Sequence, residues 1–388
     1  MRIVESPAAL QLVPPPAPPS VQAPVGSGLT ETATALVRAE RFVSEHRYAD
    51  AIAALGRVSI PAVSAPGLAL RVLLCEAWAR MYLGELEAAA SILERACALA
   101  ERPAFSDLDR AHALFRLGCC RLKLARVSNA ISLFSTALQL ADGAAADDAL
   151  RARIFDWRSR GYQVQREWEA AQTDAERSLE LATAVGDARL EALALMQCSL
   201  VAERRSDPLL GRFYAERARE RAVASGDRQT EARLLNNLGG LSFLLDQPER
   251  AVAFLKESFA IALEIGNLAD AAQAVCSLAQ VHLRCGAPIL AEEQVRHALS
   301  ILEGRDDYLD ERGNAHLVLG RALAEQSRED EALAELAAAE ALYATLGSKS
   351  HVAAVWMAEA ELRGRAREHE AAAALYRKAA ESLQDVHF

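Results

Sequence analysis

Lysine is nearly missing from this sequence: only Lys123, Lys256, Lys349 and Lys378 among its 43 basic residues are lysines, and the rest are arginines. Aromatic residues are scarce at 5%, while 52% of the chain is hydrophobic. That balance favours an Ala/Leu-rich helical protein over a sandwich or barrel. There is no positive surplus, the formal net charge being −10. A non-specific nucleic-acid or anionic-membrane partner would need a basic face, so both are excluded as expectations. No uninterrupted apolar run reaches the roughly 18 residues of a membrane span. The opening MRIVESPAAL lacks the basic start and apolar core of a signal peptide, and a cytoplasmic protein is expected. The seven cysteines are odd in number and contain no CxxC pair, which excludes a disulfide framework and a zinc module. They read as buried thiols.

Catalytic signatures are absent as well. No HExxH, EF-hand loop, GxGxxG or GxSxG element occurs. His112, His282, His297 and His316 have no metal-ligand partner four residues on. Leu346-Gly347-Ser348-Lys349-Ser350 resembles the tail of a phosphate loop, but the upstream glycine and strand are missing. Neither an enzyme nor a cofactor or metal site is expected.

Proline, by contrast, is concentrated. Seven of the 13 prolines lie between Pro7 and Pro24, where locked φ angles and missing N–H groups disfavour helix and sheet. Residues 1–28 are therefore expected to form a disordered arm. Its Ile3, Val4, Leu10 and Leu12 suggest that it folds back over an apolar part of the remaining chain.

From about Leu29 the text is helical in period, and small residues recur in a fixed register. Ala39, Ala77, Gly118, Ser159, Ser199, Gly239, Ala279, Gly320 and Ala360 are separated by 38 to 41 residues. Twelve positions after each stands Ala51, Ala89, Ala130, Ala171, Gly211, Ala251, Ala291, Ala332 or Ala372. A third set runs Val58, Ala96, Ala137, Ser178, Ala218, Ser258, Ala298, Ala339 and Ala379. Helix axes that cross closely, and hairpins that stack on them, need such small side chains. The pairs Gly186-Asp187, Gly226-Asp227, Gly266-Asn267 and Gly347-Ser348 supply a left-handed stop followed by a capping side chain. The spacing predicts an all-α, right-handed solenoid over residues 29–388. It has about nine antiparallel hairpins, starting near residues 32, 70, 111, 152, 192, 232, 272, 313 and 353.

LNNLGGLSFLLDQPERAVAFLKES around Leu238-Gly239, LVLGRALAEQSREDEALAEL around Leu319-Gly320, and Trp356, Ala360, Ala372, Tyr376 and Ala379 carry a resemblance to the tetratricopeptide-repeat family. The unit of about 40 residues is longer than that family's usual 34 or so. It is similar to the long repeats of bacterial regulators and peptide-sensing proteins, here without a DNA-binding domain. Repeats four and five depart from the pattern, with Arg158 and Cys198 where leucine is usual.

The resemblance implies a superhelix whose concave wall is lined by the first helix of each hairpin. Positions three before, one after, and four or five after the small register residue are then expected to face inward. In the N-terminal third these slots include Leu74, Trp78, Met81, Tyr82, Phe115 and Leu122, an apolar and partly aromatic wall. The middle offers Arg116, Arg153, Arg160, Gln197, Arg204, Arg233, Asn236, Asn237, Gln273, Gln280 and Arg284. Two readings stand side by side. Trp78, Tyr82 and Phe115 are either stacking core or anchors for a ligand side chain, and the arginines either a solvated face or a clamp for carboxylates. An asparagine in the slot of Asn237 holds a peptide backbone in peptide-binding relatives, as the resemblance implies. The expected role is a non-catalytic protein- or peptide-binding scaffold or sensor, part of a bacterial regulatory system, whose ligand is acidic or bears a free carboxylate. The alternatives are a repeat-domain partner of a transcription regulator and a self-assembling adaptor that forms homo-oligomers through an uncapped end.

Overall fold

Helix follows helix because each apolar stretch at helical spacing is closed by a stop and reopened by a cap. The computed structural model describes residues 25–45, 47–56, 65–143, 147–304 and 308–384. The proposed arm before residue 25, with Ile3, Val4, Leu10 and Leu12, and Val58 of the third register lie outside the described residues. Among the described residues nine hairpins follow in order. The first four pair α1 (Val25–Ser44) with α2 (Tyr48–Leu55), α3 (Pro66–Tyr82) with α4 (Leu86–Ala100), α5 (Asp107–Lys123) with α6 (Val127–Ala141), and α7 (Asp148–Val164) with α8 (Trp168–Val185). The next three are α9 (Ala188–Arg204) with α10 (Pro208–Ser225), α11 (Arg228–Leu244) with α12 (Pro248–Glu264), and α13 (Leu268–Arg284) with α14 (Pro288–Ile301). Then come α15 (Leu309–Glu325) with α16 (Glu329–Thr345) and α17 (Lys349–Arg365) with α18 (His369–Gln384). Helix α1 begins inside the segment 1–28.

Every described member of the three small-residue registers is buried. Close packing is the cause. A Cβ placed on Gly118 would stand 2.5 Å from the Phe134 ring, one on Gly239 2.6 Å from Leu255, and one on Gly320 2.9 Å from Leu336. In these three hairpins the partner lies sixteen positions further on, a large side chain against the glycine. Ser159 and Ser199 have Ala175 and Ala215 at this offset, all four buried. Three buried serine hydroxyls donate to backbone carbonyls, Ser159 to Ala171 at 2.7 Å, Ser178 to Ala152 at 2.8 Å and Ser258 to Ala232 at 2.7 Å, whereas those of Ser199 and Ser242 have no hydrogen-bond partner among the described residues.

The punctuation between hairpins acts as expected at three of four sites. Asp187, Asp227 and Asn267 cap α9, α11 and α13 through their side chains. Ser348 does not cap α17, because its hydroxyl pairs with His351 Nδ1 at 2.7 Å. A fuller cap opens α5, where Ser106 Oγ accepts from the Asp109 N–H and Asp109 Oδ2 accepts from the Ser106 N–H at 2.9 Å. Replacing Ser106 by alanine is expected to lower stability by about 1 kcal/mol. Hydrogen exchange focused on the first turn of α5 checks this, and unchanged protection there would refute it.

Within the hairpins the turn carries a left-handed residue seven positions after the register residue. Gly84 and Gly286 fill it in two repeats, but Ala125, Arg166, Ser206, Asp246, Ser327 and Arg367 fill it in six. At Ala125 the bonds from Ala125 N–H to Leu122 O (3.0 Å) and from Arg126 N–H to Arg121 O (2.9 Å) hold the chain there.

Contacts between hairpins decide the curvature. Among the described residues the first helices of neighbouring hairpins approach closely along their backbones, as α7 with α9 and α13 with α15, whereas the second helices stand further apart and meet through long side chains such as Arg219 of α10 with Glu257 of α12. The odd-numbered helices therefore form the inner layer and the even-numbered ones splay outside. The result is a right-handed α-solenoid with the tetratricopeptide-repeat arrangement. Ion pairs cross between adjacent repeats along it, including Arg71–Glu40, Arg126–Glu87, Arg233–Asp270 and Arg365–Glu325. Much of the arginine excess is absorbed in this way.

The two irregular repeats have a polar interior. Arg158 reaches Asp174 in a fork, Nε to Oδ2 at 2.7 Å and Nη2 to Oδ1 at 2.8 Å, and its Nη1 donates to Ser135 at 3.0 Å. Asp174 is buried. Cys198 sits among Ala171, Ala175 and Val201. Five cysteines are buried, but Cys97 is half-buried and Cys285 exposed, so the reading of all seven as buried thiols is corrected for those two. Cys285 is the C-cap residue of α13 at the hairpin turn, and Cys97 stands at the edge of the core on α4. Burial pushes the Cys75 thiol up to about 11 and Cys276 to about 12. Among the described residues no helix is long and apolar enough to cross a membrane, and no group of three metal-ligating side chains converges.

Candidate binding groove

The inner layer presents a repeating set of positions. Those five after the register residue are exposed throughout, as Tyr82, Lys123, Arg204, Arg284, Glu325 and Arg365 show. The slot three before it behaves differently from expectation. Leu74, Phe115, Asp156, Met196, Cys276 and Leu317 occupy it and are buried, because the next first helix stacks over this turn. Asn236 is half-buried there and is an exception.

This changes the N-terminal wall. Phe115 is 5% exposed and packs beside Phe134 and Trp78, with ring centres 6.2 and 6.3 Å apart, so it belongs to the core and not to a ligand surface. Leu74 and Met81 are buried with it. Trp78 is half-buried, in edge contact with Tyr82 and Trp157. Tyr82, 39% exposed, stacks on Tyr48 at 4.7 Å. Nor is the wall purely apolar. Arg116 lies over Trp78 at 4.8 Å, Lys123 over Tyr82 at 5.2 Å and Arg160 over Trp157 at 5.0 Å. The sequence pattern does not point to Trp157 or Lys123, since one stands inside the irregular fourth repeat, beside Arg158, and the other is a lone lysine.

The superhelix draws distant repeats toward one space. The groove wall around Lys123 partly desolvates its ammonium, although the side chain stays open to the groove, and so lowers it, and Arg160 and Arg233 push it down further. The Tyr82 phenol is pushed up by burial against the pull of the same two arginines. Arg160 of hairpin four and Arg233 of hairpin six thus act on Lys123 of hairpin three and Tyr82 of hairpin two, although Asp156 and Asp270 pair with the two arginines.

The remaining expected residues divide by exposure. Arg153, Arg204, Arg233, Gln273, Gln280 and Arg284 are exposed on the inner layer, and Arg160, Asn236 and Asn237 are half-buried. Arg233 is held by Asp270 of the next hairpin, Nε to Oδ2 at 3.0 Å. Arg160 pairs with Asp156 at 3.0 Å, and burial raises that carboxyl against the pull of Arg160. Gln273 accepts a long contact from Asn314, 3.4 Å. Gln197 is 1% exposed and cannot meet a ligand from the groove as it stands; both its amide atoms are without a hydrogen-bond partner among the described residues. Arg153, Arg204 and Arg284 have no carboxylate partner among the described residues, and Asn237 makes no side-chain hydrogen bond among them. At the C-terminal end the inner layer opens into a cleft of about 400 Å³ bordered by Gln280, Arg284 and Arg321.

No family model matches the sequence. Solved structures share the fold over nearly the whole chain. A Rap protein complexed with competence and sporulation factor superposes with a TM-score of 0.65 at 16% identity, covering 92% of this chain and 98% of that one. The apo form of the quorum sensor NprR from B. thuringiensis gives 0.63 at 13% identity, with 92% and 98% covered. The Rap conjugation gene regulator of plasmid pLS20, in complex with the Phr* peptide, gives 0.58 at 12%, with 93% and 95% covered. At these identities the likeness establishes the fold.

Proposed function

We propose that this chain is a non-catalytic regulatory solenoid that binds a peptide, or an extended segment of a protein, along its concave groove. One observation carries the reading. On α11 the Asn237 amide is half-exposed and unpartnered, next to Asn236 and one turn from an arginine that Asp270 holds in place. A carboxamide presents both a donor and an acceptor, which is what a peptide backbone requires. Cations around it, in a protein of net charge −10, favour a ligand that is acidic or ends in a free carboxylate. Two of the structures that share the fold are held with a signalling factor or a peptide, and a third is a quorum sensor, which supports the same reading. In this role the protein needs no cofactor and acts in the cytoplasm within a bacterial regulatory system.

Affinity capture with the wild type beside an Asn237→Ala, Arg233→Ala variant tests this. Loss of two central polar contacts is expected to weaken binding of the captured ligand by about 30-fold or more. Equal capture by both proteins would remove the groove at α11 from the mechanism.

A further inference from the structure

The register that buries each hairpin against the next leaves one face of the ninth open. The slot sixteen after the register residue is buried in the first eight hairpins, from Leu55 at 5% to Leu336 at 2%, whereas Tyr376 fills it in the ninth and is 46% exposed. Met357 is 36% exposed in the slot where Leu317 is buried, and Leu383 is half-buried in the slot of the buried Tyr343. Stacking is the cause: Leu336 clusters with Val355 and Ala358 of the following hairpin, and among the described residues no helix follows α18. We infer that this face docks a second copy of the chain, α18 against α18, antiparallel across a two-fold axis. The inference goes beyond the groove reading, since Asn237, Arg233 and Arg284 take no part in this interface.

Ala373, Tyr376, Ala380 and Leu383 stand three and four apart and form one stripe along α18. Lys378, on the opposite side of the helix, reaches back over the Trp356 ring at 3.9 Å and to Glu340 of the preceding hairpin at 3.7 Å, so the stripe points away from the stack. A two-fold axis level with Lys378 sets Tyr376 against Ala380 of the second copy and Ala373 against its Leu383, so that each large side chain meets a small one. Exposed Arg377 and Glu381 flank the stripe without an ion-pair partner among the described residues. The same axis brings each Arg377 within about one helical turn of the other copy's Glu381. The first hairpin offers no such match. Thr34 and Arg41 are exposed on it, in slots that hold buried apolar or small residues in every later hairpin, such as Val355 and Leu362 in the ninth. Among the described residues Val37 is the one exposed large apolar side chain on α1. A head-to-tail row of copies would bury those polar groups, whereas the two-fold pair closes apolar face on apolar face.

Sedimentation equilibrium of the full chain, from about 1 to about 100 micromolar, tests the interface. A dimer with a dissociation constant of about 10 micromolar is expected from a contact of one helix and its flank. Tyr376→Arg should weaken it about 30-fold or more, and Val37→Arg, at the far end, should leave it unchanged. Arg377→Glu alone should weaken it about tenfold, and the charge-reversed Arg377→Glu, Glu381→Arg variant should return to within about threefold of the wild type. At about 1 micromolar, where the chain is monomeric, thermal unfolding of these variants should match the wild type, which separates lost association from lost folding. A monomer at every concentration would overturn the proposal. So would a dimer indifferent to Tyr376→Arg, or species that keep growing beyond two copies.

Discussion

Replacing Asp174 by alanine is expected to destabilise the fourth hairpin by about 3–5 kcal/mol, the range seen when one member of a buried ion pair is removed. Asp174 meets Arg158 through two short bonds, and the Arg158 side chain is only 18% exposed. Without the carboxylate its guanidinium keeps Ser135 as its hydrogen-bond partner, with Phe155 and Tyr162 as neighbouring rings, and none of these offsets a full charge. Burial raises the Asp174 carboxyl above its usual value against the pull of Arg158, while the bond to Asp174 raises the Arg158 guanidinium against burial; the two shifts oppose one another in stability, so the intact pair adds little net stability. It follows that an Arg158→Leu, Asp174→Leu double variant should recover most of the loss. Urea denaturation of the single and double variants measures both. A loss below about 1 kcal/mol for Asp174→Ala would mean that the pair behaves like a solvated surface bridge.

Phe134→Ala is expected to be about as severe, at roughly 3–5 kcal/mol, because the ring is fully buried against a glycine that cannot fill the space it leaves. The same pair predicts a reversal of sign. In the wild type Gly118→Ala should destabilise by about 1–3 kcal/mol, because its Cβ would stand 2.5 Å from the ring, which outweighs the gain in helix propensity. In the Phe134→Ala background the clash is gone, and Gly118→Ala should stabilise. A double-mutant cycle read by chemical denaturation tests the coupling. Additive effects would show that the first and second helices do not meet as tightly as the register implies.

The groove was legible only in part. Residues such as Arg284, Gln280 and Tyr82 fall on the inner layer, as the period of the repeat suggests. Phe115 and Gln197 do not present themselves there, although they stand in neighbouring slots of the same pattern. A helical period tells which face a residue shares, but the stacking of the next hairpin determines how much of that face stays open.

The sequence by itself determined the repeat. Its small residues at fixed intervals, its glycines and its capping acids each act on neighbours within one hairpin or the next, so local chemistry was enough to read them. Tertiary structure alone decided the rest. Ala125, Arg166, Ser206, Asp246, Ser327 and Arg367 turn left-handed with no glycine to announce it, because the hairpin they close imposes a conformation that such residues adopt at a cost of about 1–2 kcal/mol. Arg158 occupies a leucine slot because Asp174, sixteen residues away, meets it across the helix pair. Curvature then brings the charges of hairpins three, four and six to bear on one concave space, a relation that depends on the angle accumulated over many repeats and on no single stretch of chain.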